Sequence, residues 1–170
     1  MRALLLENIH PDGAAALEKA GFVVETEDRA LEGEELAARL EGVNVLGIRS
    51  KSQVTAAHLR EADSLLAVGA FCIGTDQIDL AAATDTGIAV FNAPYSNTRS
   101  VVELALAEVI ALTRGLVQKN TMMHEGVWDK SAAGAHEVRG RALGIVGYGN
   151  IGAQLSVLAE ALGMVVYFYD

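Results

Sequence analysis

Residues 142–155 read "ALGIVGYGNIGAQL", and this stretch decides how the rest of the chain is understood. An apolar, strand-forming run leads into Gly147, Gly149 and Gly152, spaced G-x-G-x-x-G, and an alanine- and leucine-rich helical segment follows. Each glycine has a physical task in such a turn. Gly147 permits the tight passage from strand to helix, Gly149 lets the main chain approach a pyrophosphate, and Gly152 lets the helix lie close on the strand. The helix start then offers unpaired N–H groups and partial positive charge to the phosphates. In a chain with 17 glycines the pattern by itself also suits a purely structural βα turn. Its surroundings add weight. The next strand, "MVVYFYD", closes at Asp170, where an acid accepts hydrogen bonds from the adenosine ribose and repels a 2′-phosphate. The expected cofactor is NAD rather than NADP.

Upstream of the turn, short β-rich runs alternate with helical patterns. "RALLLE", "FVVET", "VNVLGI", "LLAVGA" and "IAVFN" lie near residues 2–7, 22–26, 43–48, 65–70 and 88–92. The segments between them include "PDGAAALEKAG" and "EGEELAARLEG", which end at Gly21 and Gly42, suitable left-handed helix stops. Strands separated by helices predict a parallel sheet covered on both faces, filling residues 1–94. "NAPYSNTRS" marks a junction. Ser100 and Glu103 then match a capping box, so a long helix is expected over 100–118, apolar almost all round and therefore buried on more than one side. Residues 120–140 read as a polar excursion carrying the single tryptophan, Trp128.

Composition narrows the function classes. The chain is 51% hydrophobic and 21% charged, with a net charge of −9, which disfavours nucleic acid and anionic membrane as partners. The N-terminal apolar run is too short for a signal or anchor, and Glu103, Glu108 and Arg114 interrupt the most apolar helix. One cysteine, Cys72, precludes an internal disulfide and suits a reducing cytoplasm; among Ala70, Phe71 and Ile73 it reads as a packing residue.

Longer runs carry a more specific signal. "GIRSKSQVT", "AVGAFCIGTDQIDLAAA", "GIAVFNAPYSNTRSVVELALAEVIALTRG", "GVWDKSAAG" and "RGRALGIVGYGNIGAQLSVLAEALGM" together resemble the N-terminal part of the D-2-hydroxyacid dehydrogenase family across nearly the whole chain. Where many members have R-A-G-x-G-x-D, this chain has "AFCIGTD", which points to the phosphoglycerate-oxidising subgroup and removes a loop arginine from substrate contact. The resemblance implies an α/β protein: a flavodoxin-like parallel-sheet substrate domain, 1–94, then the first half of a Rossmann dinucleotide-binding domain, 95–170. It implies NAD-dependent oxidation of 3-phospho-D-glycerate, the first step of serine biosynthesis. Carried over by position, it assigns Arg49, Ser50, Lys51, Asn97 and Lys130 to substrate. Asn150 and Ile151 join the three glycines on the pyrophosphate, and Asp170 lies on the ribose. "GVWDK" resembles an arm that packs on a neighbouring subunit through Trp128, so a homo-oligomer is expected through this arm and helix 100–118.

Independent chemistry agrees on one point. A substrate bearing carboxylate and phosphate needs cations, and Arg49 and Lys51 share a loop after a parallel strand, where α/β folds bind ligands. Read alone, "RSKS" also suits a solvated loop, and Trp128 an ordinary core aromatic. The resemblance places the catalytic arginine, glutamate and histidine beyond the equivalent of Asp170. His10, His58, His124 and His136 are dispersed, with no spacing that suggests a dyad or metal site. The expectation is the front portion of a longer enzyme, inactive alone and with no catalytic residue of its own. Its second domain would hold only two strands, with bare apolar faces. The alternatives are a dehydrogenase for another D-2-hydroxy acid, or a non-catalytic nucleotide-binding or docking fragment.

Overall fold

The computed structural model describes residues Met1–Asp170, which divide into two compact units, Met1–Ser96 and Asn97–Asp170. The first unit runs β1 (Arg2–Leu5), α1 (Pro11–Lys19), β2 (Val23–Thr26), α2 (Gly33–Arg39), β3 (Val45–Ile48), α3 (Ala56–Glu61), β4 (Ala67–Ala70), α4 (Leu80–Thr86) and β5 (Ala89–Asn92). The second runs α5 (Thr98–Arg114), α6 (Leu116–His124), β6 (Ala142–Val146), α7 (Asn150–Ala161) and β7 (Val165–Tyr169).

The five strands of the first unit form one parallel sheet in the order β2-β1-β3-β4-β5. This is the flavodoxin-like doubly wound order, with its reversal of direction between β1 and β3. The central strands read as continuous apolar runs because helices cover both faces. Leu4, Leu6, Leu36, Leu46, Ile48 and Val68 are fully buried in a single core. Edge strand β2 carries Glu25, paired with Arg2 and Arg39, and charge on an edge discourages further strand pairing. The expected strands are present, each shortened by a residue or two at its ends.

In the second unit β6 and β7 pair in parallel, Val146 opposite Tyr169, and α7 packs on both. This is the expected βαβ unit, a two-stranded half-sheet. Val146, Tyr167 and Tyr169 are 88%, 65% and 75% exposed.

The long helix differs from expectation at both ends. It starts at Thr98 with Asn97 as N-cap, so Ser100 already lies inside the first turn and cannot cap. Glu103 instead accepts a 2.6 Å bond from Arg99. Gly115, with φ +62°, stops α5 at Arg114, and α6 takes the chain to His124, so the excursion proper begins after that residue. A left-handed glycine ends a helix that its apolar pattern would continue. Within the chain α5 packs on α7 and α6, and Leu104 and Leu112 are exposed.

Candidate functional site

Two sets of residues have the geometry of ligand sites, one in each unit. In the first unit, the carboxyl ends of β1 and β3 lie side by side at the point where strand order reverses, the place where doubly wound sheets bind ligands. A cleft of about 430 Å³ opens there, lined by Asn8, Ile9, His10, Pro11, Arg49 and Phe71. Arg49, Ser50 and Lys51 lie together on the loop leaving β3, all three exposed. The side chains of Arg49 and Lys51 are in no ion pair within the chain, so both charges are available to an anion.

Glu7 organises this loop, and the sequence reading missed it. It follows β1, is buried, and accepts main-chain N–H bonds from Arg49 at 3.1 Å, Lys51 at 2.9 Å and Ser52 at 2.9 Å. Burial alone would push the Glu7 carboxyl up. The N–H groups of Ser52, Lys51 and Arg49 outweigh it and hold the carboxyl below the usual glutamate range. An acid directly after a buried apolar strand was the available signal. On the other side of the loop Gln77 Nε2 donates to the Arg49 carbonyl at 2.6 Å. Cys72 packs against the core, as expected, with its Sγ 3.4 Å from the same carbonyl.

In the second unit the glycine turn has the geometry its spacing implied. Gly147 sits at φ +93°, a conformation side chains resist. A Cβ on Gly152 would meet the Gly147 carbonyl oxygen at 2.2 Å and Ile145 Cγ2 at 3.2 Å, which makes this the close helix-on-strand contact. A Cβ on Gly149 would meet nothing within 4 Å, so the main chain there is open to a ligand. Asn150 and Ile151 lie in the first turn of α7, whose opening N–H groups have no side-chain cap. Asp170 Oδ1 accepts a 2.7 Å bond from Tyr148 N–H, which brings the strand-end acid onto the turn. The Tyr148 ring stacks on Phe168 with centroids 3.9 Å apart, and its hydroxyl lies 2.6 Å from Ser156 Oγ. The donors, the open glycine and the acid together fit a dinucleotide diphosphate and ribose.

Asn97 also belongs to the second unit, where its side chain makes no capping bond. Lys130 and Trp128 lie exposed in the segment after α6, which Lys119 ties down through Asp129 at 2.7 Å. The histidines have structural or surface roles. His10 Nδ1 accepts from Asp12 N–H at the start of α1. His58 is buried, accepts from Thr55 N–H at 3.2 Å, and its Nε2 lies 3.0 Å from the Gly33 carbonyl. His124 reaches the Asn120 carbonyl within its own helix, and His136 is exposed. No helix is long and apolar enough to cross a membrane.

Comparison with known proteins agrees with this geometry. A family model described as D-isomer specific 2-hydroxyacid dehydrogenase, catalytic domain, matches residues 3–169. The chain is 51% identical, over its whole length, to D-3-phosphoglycerate dehydrogenase of Haemophilus influenzae, of which it covers 42%. Among solved structures, the TT0316 protein of Thermus thermophilus matches 99% of the chain at 29% identity with a TM-score of 0.87, and 55% of that protein is covered. The NAD-dependent formate dehydrogenase of Staphylococcus aureus, solved with NAD, matches all of it at 26% identity and a TM-score of 0.81, with 56% covered. The chain thus spans well under two thirds of each of these relatives. With the parallel sheet, the glycine turn and the family match in agreement, the chain belongs to the D-isomer specific 2-hydroxyacid dehydrogenases, a family of oxidoreductases.

Proposed function

We propose that the whole protein to which these residues belong oxidises 3-phospho-D-glycerate to 3-phosphohydroxypyruvate, with NAD as the hydride acceptor. The observation that carries this reading is the presence of Arg49 and Lys51 on one loop at the strand-order reversal, with Arg49 lining an open cleft, in a chain of net charge −9. Two cations held free of carboxylate partners suit a substrate with two anionic ends. The relatives' name, D-3-phosphoglycerate dehydrogenase, supports the choice of acid.

In this reading residues 1–94 bind substrate and residues 95–170 form the first half of the NAD-binding domain. Arg49, Ser50 and Lys51 hold the substrate's charged groups, with Asn97 and Lys130 as further polar contacts. Gly147, Gly149, Asn150, Ile151 and Gly152 hold the diphosphate, and Asp170 accepts from the ribose hydroxyls. When bound, the nicotinamide supplies the acceptor for the hydride leaving substrate C2. The hydroxyl proton must go to a base, and the carboxylate needs a cation beside the reacting carbon. None of the four histidines is set up for that task, and the family resemblance places the catalytic arginine, glutamate and histidine outside residues 1–170, so in this reading these residues alone turn nothing over. The exposed Trp128 and the bare flank of α5 are the surfaces through which the protein assembles with copies of itself.

The test is NADH formation by the whole protein with 3-phosphoglycerate, D-glycerate and D-lactate in parallel. The expected preference is for the phosphorylated acid, and Arg49→Ala should lower its kcat/KM by roughly a hundredfold. Equal use of D-lactate, or indifference to Arg49→Ala, contradicts the substrate assignment.

A further inference from the structure

A buried carboxylate without a cation beside it is costly unless hydrogen-bond donors surround it. Glu7 is such a group. It makes no salt bridge, and the N–H groups of Arg49, Lys51 and Ser52 converge on its two oxygens. The main chain is bent to deliver it. Glu7 has φ +62° and Asn8 has φ +52°, the only residues other than glycine in the left-handed region. Side chains disfavour this region, Glu more than Asn, and such strain persists only where surrounding contacts impose it. Glycine at position 7 would relieve the bend and lose the carboxylate.

Arg49 is consequently held from both sides. Its N–H is bound by Glu7, from the end of β1, and its carbonyl by Gln77, from the loop after β4. The two clamps come from segments far apart in sequence and meet on one peptide plane each side of the same Cα. Turning the amides of residues 49, 51 and 52 inward has a second effect. An anion above the loop cannot be gripped by those three amides, which leaves the exposed side chains and the Ser50 N–H to meet it.

We infer that Glu7 and Gln77 are positioning residues that aim the Arg49 side chain at the anionic substrate, acting through the loop main chain and touching no reacting atom. This rests on the assignment of Arg49 under the proposed function.

The experiment is a double-mutant cycle in the whole protein, with Glu7→Gln, Gln77→Leu and Arg49→Ala. Glu7→Gln keeps the shape but sets an amide nitrogen against one of the loop N–H groups. It should raise the KM for 3-phosphoglycerate about tenfold, with a much smaller change in kcat and none in the KM for NAD. In the Arg49→Ala background the same change should have less than about a twofold effect, because the side chain being aimed is gone. Hydrogen exchange at residues 49–52 should accelerate in Glu7→Gln. Gln77→Leu, close in volume, should show the same pattern more weakly and stands in if Glu7→Gln fails to fold. An unchanged KM in both variants overturns the inference, as does a full effect of Glu7→Gln without Arg49, or an equal rise in the KM for NAD. If the unaltered protein oxidises no phosphorylated acid, the substrate assignment fails separately. The cycle is then read on the Kd for inorganic phosphate, where additive effects overturn the inference and non-additive ones support it.

Discussion

Asp170 Oδ1 lies 2.7 Å from the main-chain nitrogen of Tyr148, so the acid at the end of β7 is fastened to the middle of the glycine turn that follows β6. The parallel register that sets Val146 opposite Tyr169 makes this possible, since it brings both strand ends to the same level. One carboxylate oxygen accepts from the turn, and under the proposed function the other accepts from a ribose hydroxyl. Asp170→Ala should therefore act twice, by loosening the turn and by removing the ribose acceptor. The expected loss of NAD affinity in the whole protein is roughly ten- to a hundredfold, with NADP much less affected, read by titration calorimetry.

Gly149→Ala and Gly152→Ala should separate ligand contact from packing. At Gly149 φ is −72° and the added methyl meets nothing within 4 Å, so stability should hold while NAD binding falls. At Gly152 the methyl would collide with a main-chain oxygen, and the cost to folding should be about 1–3 kcal/mol or more. Thermal unfolding and NAD titration on both variants give the comparison. Equal effects of the two substitutions on stability would contradict the assigned roles.

Acid should destabilise the first unit through Glu7. Its folded-state pKa is lowered below the ordinary 4.5, because the loop N–H bonds outweigh the cost of burial. A carboxylate lowered on folding stabilises the protein above its unfolded pKa, and that contribution is lost as pH falls through the folded value. The unfolding midpoint should thus drop steeply below about pH 4.5, and less steeply in Glu7→Gln. Glu25 and Glu35 are also held low, first by hydrogen bonds from Arg2 and Arg29. Those pairs are exposed and screened by salt, so the part of the pH dependence that survives high salt belongs to Glu7.

Residues 97–170 should be the softer unit in the 170-residue chain. The continuous core cluster of buried leucines, valines and isoleucines lies in the first unit. The second buries Val102, Ile145, Ala159 and Met164, and leaves Tyr167, Phe168 and Tyr169 exposed. Burying one large apolar side chain contributes about 1.5–3 kcal/mol, so the difference in core size is a difference in local opening energy. Hydrogen exchange should be faster in β6, α7 and β7 than in β1, β3 and β4. Equal protection would show that the exposed half-sheet has found another cover.

Trp128→Ala should leave the unfolding midpoint of the chain nearly unchanged, within about 0.5 kcal/mol, because the ring is 68% exposed. If the arm mediates assembly, the same substitution should lower the oligomeric state of the whole protein in sedimentation.

What the sequence alone determined is the part of the structure governed by short-range rules. Apolar runs such as 43–48 and 65–70 became strands because a covered parallel sheet asks nothing else of them, Gly147 took up a left-handed φ, and Gly152 made a close contact that leaves no room for a side chain. Local pattern misled where two local signals competed. Ser100 and Glu103 spelled a capping box, but the helix had already begun at Thr98, and Gly115 ended it before its apolar pattern did. Tertiary structure alone decided the role of Glu7 and Gln77. Glu7 meets its three donors 42, 44 and 45 residues away, and Gln77 meets Arg49 28 residues away. Gln77 reaches Arg49 because β4 lies on one side of β3. Glu7 meets its donors because β1 lies on the other side in register, Leu5 beside Gly47, and a buried carboxylate takes whatever donors that pairing delivers.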